Sequence, residues 1–329
     1  MKILVTGANG LLGHHVVMQL LERKYDVRII VRSTKDICFD LNKVEVELGN
    51  FTESSVFRKA AIGCDAVIHI AAVTATNLLN YHDYVPVNLD ANRIIIEVCN
   101  HLNINTILFV STTNTIGYGT NDSCSDEKSP FQFPFTQSYY ARTKLEAEKI
   151  YENAAIAPKS DSENHIIIIH PAFMIGAYDV KPSSGKLMLM GYKKRLMLVP
   201  RGGKNFVATA DVATAICNAL TMGSNGEHYL ATGINLSFKE FYQIQSRVGG
   251  YKQTIIELPD IVLEFAGRIG DLFQLLGVKT DLCTRNIKQL LIREYYSNNK
   301  IKSVLRMPQM PIDKAIESAL EWFNRKSVK

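Results

Sequence analysis

The sequence has no dense block of lysine and arginine, no long apolar run free of charge, no CxxC pair, no internal repeat and no low-complexity tract. Each absence removes a class of function. With 37 basic against 32 acidic residues the net charge is only +5, and no basic stretch is interleaved with aromatics, so nothing points to a nucleic-acid partner. The short run Lys193-Lys194-Arg195 reads as a solvated face. The most apolar long segment, 258–278, carries Asp260, Glu264, Arg268 and Asp271. It is therefore expected to be an amphipathic helix covering a substrate site and not a membrane span. The six cysteines (Cys38, Cys64, Cys99, Cys124, Cys217 and Cys283) stand singly. That spacing predicts neither a zinc site nor a disulfide framework; no metal is expected, and the usage suits a reducing cytoplasm. The N-terminus reads as a strand interrupted by Gly7, so no signal peptide is expected there.

What the sequence does hold is alternation. Its 329 residues suffice for one large α/β domain or two smaller ones. After Ile3–Val5, strand-like runs at Val27–Val31, Val44–Leu48, Ala66–Ile70, Ile107–Val110 and Ile166–Ile169 interleave with helical spacing at Leu11–Arg23, Asn88–Leu102 and Ser138–Asn153. Continuous apolar strands between helices predict a parallel sheet covered on both faces, with the ligand at the carboxyl ends of the strands. Residues 205–234 read as a return to that sheet, through Asn205–Val207, the helix Asp211–Met222 and His228–Leu230. The expected α/β architecture is a doubly wound parallel Rossmann sheet over 1–176 plus about 205–234, with a smaller, mostly helical C-terminal substrate lobe from about 177–204 and 235–329. Ala157–Asn164 reads as a polar surface loop.

The first of those strands runs into Thr6-Gly7-Ala8-Asn9-Gly10-Leu11-Leu12-Gly13. A strand entering a glycine-rich turn that opens a helix is the geometry that cradles a dinucleotide pyrophosphate. Gly7 permits the turn, Gly10 lets phosphates approach the backbone, and Gly13 lets the helix pack on its strand. Asn9, Leu11 and Leu12 accompany them at the expected phosphate site. A site that prefers NAD carries an acidic residue about 20 residues beyond the glycines, on the ribose 2′-OH. Arg32 stands there instead, and no carboxylate occurs between Val27 and Lys35. A guanidinium pairs with a 2′-phosphate, so NADP is favoured over NAD.

Tyr140 and Lys144 are four residues apart, which on a helix puts them on one face. A neighbouring ammonium is expected to lower the phenol's pKa and let Tyr140 exchange a proton with a carbonyl or hydroxyl oxygen.

In this order, TGxxGxxG at Gly7, a Ser/Thr run after a central strand and YxxxK on the next helix, the chain resembles the extended short-chain dehydrogenase/reductase family. His69-Ile70-Ala71-Ala72, Asn88, His170-Pro171-Ala172-Phe173-Met174-Ile175-Gly176 and Asp211-Val212-Ala213 are similar to further motifs of that family. Tyr178-Asp179-Val180-Lys181-Pro182-Ser183 resembles its dihydroflavonol-4-reductase-like branch. The resemblance implies Tyr140 as catalytic acid/base, Lys144 as the residue that bonds the nicotinamide ribose, and Thr113 as the hydroxyl that positions the reacting oxygen, with Thr112 the alternative one register away. It implies cofactor contacts from Asn50, Phe51, Ala71, Ala72, Asn88, Pro171 and Phe173. For Asn88, support of the helix geometry or of a proton-relay water and a purely structural bond to backbone both stay open. A homodimer through Asn88–Leu102 and Tyr139–Asn153 is a further implication, although Ile94, Ile95 and Val98 suit packing on the sheet as well.

Three reactions compete within such a family. A dehydratase would follow the catalytic Thr with Asp-Glu, and here Asn114-Thr115 follow Thr113. Arg32 suits a reductase that consumes NADPH on a ketone or aldehyde, whereas an epimerase would hold NAD tightly; the epimerase is the alternative. A binding role without catalysis would suit loss of the Tyr or the Lys, and both are present. Phe131, Phe133, Phe135, Tyr178, Met188, Met190, Leu272 and Phe273 are candidate walls for a small apolar or aromatic substrate, and equally candidates for lobe core.

Overall fold

The computed structural model describes residues 1–75, 77–120, 122–157 and 164–327. Of the loop expected at 157–164, positions 158–163 lie outside the described residues.

Strand and helix alternate from the start: β1 (Lys2–Thr6), α1 (Leu11–Glu22), β2 (Asp26–Val31), β3 (Glu45–Leu48), α2 (Ser54–Ala61), β4 (Ala66–His69), α3 (Ala91–His101), β5 (Thr106–Val110), α4 (Tyr139–Ile156) and β6 (His165–Pro171). The pattern then becomes mixed: β7 (Phe173–Ile175), α5 (Gly185–Gly191), β8 (Leu196–Val199), β9 (Gly203–Ala208), α6 (Thr209–Met222), β10 (His228–Ala231), β11 (Ile234–Ser237) and α7 (Phe238–Val248). The chain ends with β12 (Thr254–Glu257), α8 (Asp260–Leu275), α9 (Thr284–Leu291), β13 (Arg293–Glu294), α10 (Asn299–Val304) and α11 (Ile312–Ser327).

Seven strands form one parallel sheet in the order β10-β6-β5-β4-β1-β2-β3. Side chains alternate across a strand, so Ile3, Val5, Leu108, Ile167 and Ile169 enter one core. Leu4, Ile107, Phe109, Ile166 and Ile168 enter the core on the opposite face. Apolar residues are needed on both sides, which is why these strands read as unbroken hydrophobic runs. This is the doubly wound Rossmann sheet. Ile95 and Val98 of α3 are buried in the second of these cores and pack on the sheet.

The strand near 205 does not return to that sheet. β9 pairs with β7, β11 and β13 in a separate four-stranded sheet, while β8 and β12 pair with each other. Only β10 rejoins the main sheet, beside β6. Sheets therefore accompany the helices of the C-terminal part. Among the described residues, no helix is long and apolar enough to cross a membrane. Segment 258–278 is helical as α8, but it turns Ile261, Phe265, Leu272 and Leu275 outward. Its Gly267 and Gly270 pack instead on the segment leading into α9; a Cβ on Gly270 would stand 1.2 Å from the Leu282 carbonyl oxygen.

Candidate active site

The carboxyl ends of β1, β4, β5 and β6 converge on a cavity of about 500 Å³. Its floor at one end is the glycine turn. Gly7 adopts φ +72°, and a Cβ there would lie 2.7 Å from the Ala71 nitrogen. A Cβ on Gly13 would lie 2.1 Å from the Gly7 carbonyl oxygen. The turn thus needs glycine to bring α1 and the chain after β4 onto one spot. Thr6 fixes that approach: its Oγ1 accepts from the Ile70 and Ala71 amides, each at 3.2 Å, and donates to His69 Nδ1 at 2.7 Å. α1 has no acidic residue in its first turn. Its first N–H groups, unpaired within the helix, can therefore face an anion.

Of the residues expected at the cofactor, Gly7, Asn9, Gly10, Leu11, Leu12, Arg32, Asn50, Phe51, Ala71, Ala72, Tyr140, Lys144 and Pro171 line this one cavity. Gly13 lies beneath the turn, where it sets the spacing. Arg32 projects just past the end of β2, exposed, and among the described residues no carboxylate pairs with it. The far rim is the stretch Asp179–Ser183: the Asp179 carboxylate accepts from the Ser183 amide at 2.9 Å and the Gly185 amide at 2.8 Å, and Lys181 pairs with Asp36 at 3.0 Å. Ser111, Val180, Lys181 and Ser183, for which no role was expected, also line the cavity.

Three expectations do not survive in their original form. Thr113 does not face the cavity; Thr112 does, beside Tyr140, whose ionised form its hydroxyl favours. The reason is local: β5 ends at Val110 and a 3-10 turn begins at Thr113, which buries Thr113 and leaves its carbonyl accepting from the Tyr296 hydroxyl at 3.3 Å. Phe173 points away as well. Alternation along β7 sends Phe173 to the Phe206 ring (5.5 Å between centroids) and Met174 to the cavity. Asn88 sits in a single π-helical turn, Pro86–Asp90, and clamps Val73 through both of its backbone groups, at 2.8 Å and 3.0 Å. It holds the wall and is not part of the cavity surface.

The Tyr140–Lys144 pair also differs from expectation. Both border the cavity, but the Lys144 amine turns inward, donating to the Val110 carbonyl at 2.8 Å and lying 4.0 Å over the Phe109 ring. It does not lower the Tyr140 pKa. Burial pushes the phenol up to about 12 against the opposing effect of the Thr112 hydroxyl, so Tyr140 is a neutral acid with a proton to give. Burial pushes the Lys144 amine down to about 7, with Glu148 opposing. Between about 7 and the ordinary 10.5, an unfolded chain binds a proton at Lys144 that the folded one does not, so this residue's contribution to stability improves as pH rises through that window. The expected result for Lys144→Met is a stability difference from the unsubstituted protein that moves in the latter's favour between about pH 6 and about pH 10, read by denaturant unfolding. A pH-independent difference would contradict the buried-amine assignment.

Of the candidate apolar substrate walls, Phe135 and Met188 are core residues and Leu272 and Phe273 are exposed. Tyr178, at φ +68°, stacks on His14 (5.7 Å) and meets Trp322 (4.9 Å). None of these five lines the cavity, whose lining instead includes Val73, Thr74, Val87, Thr112 and Met174.

Comparison with known proteins agrees with this geometry. Residues 3–232 match the model of the NAD dependent epimerase/dehydratase family. Sterol demethylase protein B of Methylococcus capsulatus is 26% identical over 268 residues, 80% of this chain and 79% of that protein. A protein of Synechocystis, provisionally described as a dihydroflavonol 4-reductase, is 25% identical across 97% of this chain and 93% of its own. Among solved structures, UDP-glucose 4-epimerase of Thermotoga maritima superposes with a TM-score of 0.79 at 16% identity, covering 100% of both chains, and so shares the fold.

Proposed function

Because the chain belongs to the NAD dependent epimerase/dehydratase family, and so to the extended short-chain dehydrogenase/reductases with their nicotinamide cofactor, we propose that it is an NADP-dependent reductase of a small apolar ketone or aldehyde. The observation that carries this reading is Arg32, placed past β2 on the cavity wall where an NAD site would hold a carboxylate. The glycine turn and the first turn of α1 would hold the pyrophosphate, and Asn50 and Phe51 would border the adenine. The nicotinamide supplies the hydride when bound. Tyr140 gives its proton to the carbonyl oxygen, and Thr112, in place of Thr113, orients that oxygen from its place beside the phenol on the cavity wall. Lys144 borders the same wall and would hold the nicotinamide ribose once its amine turns from the Val110 carbonyl. An apolar substrate is supported by Val73, Val87 and Met174 in the cavity lining and by the sterol name of the Methylococcus relative.

The test is a titration with NADPH, NADH, NADP and NAD, after a spectroscopic check for cofactor retained through purification. A charge-assisted hydrogen bond is worth about 1.5–3 kcal/mol, so Arg32→Ala is expected to weaken NADPH binding by roughly 10- to 100-fold and leave NADH binding unchanged. Tightly retained NAD, with no preference for the 2′-phosphate, would contradict the assignment and favour an epimerase.

A further inference from the structure

Beneath the cavity lies a set of buried polar side chains that the reaction as described leaves unused. α4 carries Tyr140, Lys144, Glu148 and Glu152 at successive intervals of four, a stripe that starts at the active site and ends at the surface. Glu148 is 3% exposed and accepts from the Ser111 hydroxyl, which lines the cavity. Its Oε1 lies 3.6 Å from His170 Nδ1, which Thr115 Oγ1, donating to the Thr112 carbonyl at 2.8 Å, flanks at 3.2 Å. On the other side of that ring, His170 Nε2 meets His228 Nδ1 at 2.9 Å, and His228 Nε2 meets Glu152 at 3.2 Å. His170 is fully buried; the side chains of His228 and Glu152 are 21% and 46% exposed. We propose that Glu152, His228, His170, Glu148 and Ser111 form a proton-conducting chain from solvent to the active cavity.

The hydrogen-bond arithmetic of the two rings supports transport. At the inner end, the Thr112 carbonyl, 3.1 Å from His170 Nδ1, can only accept, so that nitrogen carries a proton. At the outer end, the Glu152 carboxylate asks for a proton on His228 Nε2, and the contact between the rings needs one more. Two neutral imidazoles have two N–H protons for these three positions, so the pair is complete only when it holds one extra proton. Burial opposes that charge, holding His170 down to about 4 and His228 below its ordinary value, with Lys300 and Lys144 opposing it too and Glu148 and Glu152 favouring it on His228. The extra proton is therefore transient. It enters at His228 Nε2 from Glu152; His228 Nδ1 passes its own proton to His170 Nε2; His170 Nδ1 releases one to Glu148, whose Oε1 lies 3.6 Å away. Glu148 protonates the Ser111 hydroxyl as Ser111 gives its proton to the Tyr140 phenolate left by reduction, which borders the same cavity. The same bonds occupy the ring nitrogens that would otherwise make Glu148, His170 and His228 a metal-binding group.

This chain rests on the reductase reading, because reduction of a carbonyl takes one proton from water per turnover whereas epimerisation takes none. Tyr140 must be reprotonated each time, and a substrate filling the cavity would shut off direct access of water. The test uses His228→Ala, a partly exposed site whose loss removes the ring without opening the core. Its steady-state turnover of NADPH with a carbonyl substrate is expected to fall roughly tenfold or more. NADPH affinity should be unchanged, and added imidazole should restore the rate by replacing the missing carrier. Unchanged turnover, or a loss that imidazole does not restore, would overturn the chain while leaving the reductase reading intact. Stereoisomer interconversion by the unsubstituted protein without net NADPH consumption would overturn both. A readout independent of turnover is nitrogen NMR of histidine-labelled protein. The chain requires a proton on His170 Nδ1 and an Nε2 signal that shifts in His228→Ala; a ring protonated only at Nε2 would refute it.

Discussion

Tyr140→Phe should reduce carbonyl reduction by roughly 10²- to 10⁴-fold, the range over which a positioned acid accelerates proton transfer, and leave NADPH affinity as it was. The substitution removes only the hydroxyl. The Tyr140 phenol is held neutral by burial, with its pKa up to about 12, and it lies at the cavity wall with Thr112. Phe would keep the ring's packing and lose the proton. Steady-state kinetics beside a binding titration separate the two effects: a fall in turnover at constant affinity marks an interaction made in the transition state. A variant that retained full turnover would remove Tyr140 from the chemistry, whatever its position.

Gly13→Ala should abolish cofactor binding and destabilise the fold together. The added Cβ would stand 2.1 Å from the Gly7 carbonyl oxygen and 2.7 Å from the Ala8 Cα, and both are backbone atoms that no rotamer change can move. α1 must shift away from β1, and the glycine turn opens with it. Overpacking of this kind costs about 1–3 kcal/mol, and thermal unfolding would read that cost. Loss of NADPH binding, followed by titration, reports the lost cradle. Gly63 provides the control: a Cβ there meets nothing within 4 Å, although its φ of +74° still favours glycine. Gly63→Ala should therefore lose some stability and keep cofactor binding. Equal binding losses in the two variants would contradict a local role for the turn.

The parts of this molecule legible in its sequence are those fixed by short-range pattern. The glycine spacing, the apolar strands that need partners on both faces and the four-residue interval from Tyr140 to Lys144 each follow from local geometry, and the central sheet and its cavity contain them. Misreadings came where one residue of register or a distant partner decides. In Ser111-Thr112-Thr113 the hydroxyl that faces the cavity depends on where β5 stops and the 3-10 turn starts. On β7 a shift of one residue exchanges Phe173 for Met174. β9 has the composition of a central strand, yet its partners β7, β11 and β13 are chosen by tertiary contacts that no local pattern encodes. The helical interval placed Lys144 beside Tyr140, but not the turn of its four-carbon stem toward the Val110 carbonyl. The contact of His170 with His228 joins residues 58 positions apart and becomes visible only once β6 and β10 are neighbours.

The central claim is net reduction of a carbonyl at the expense of NADPH. Its most direct test is to incubate the purified protein with NADPH and a panel of apolar ketones and aldehydes, and to quantify cofactor oxidised against alcohol formed. Equal amounts of the two are expected, abolished by Tyr140→Phe. Conversion of a sugar nucleotide into its stereoisomer, with bound NAD retained and no NADPH consumed, would contradict it.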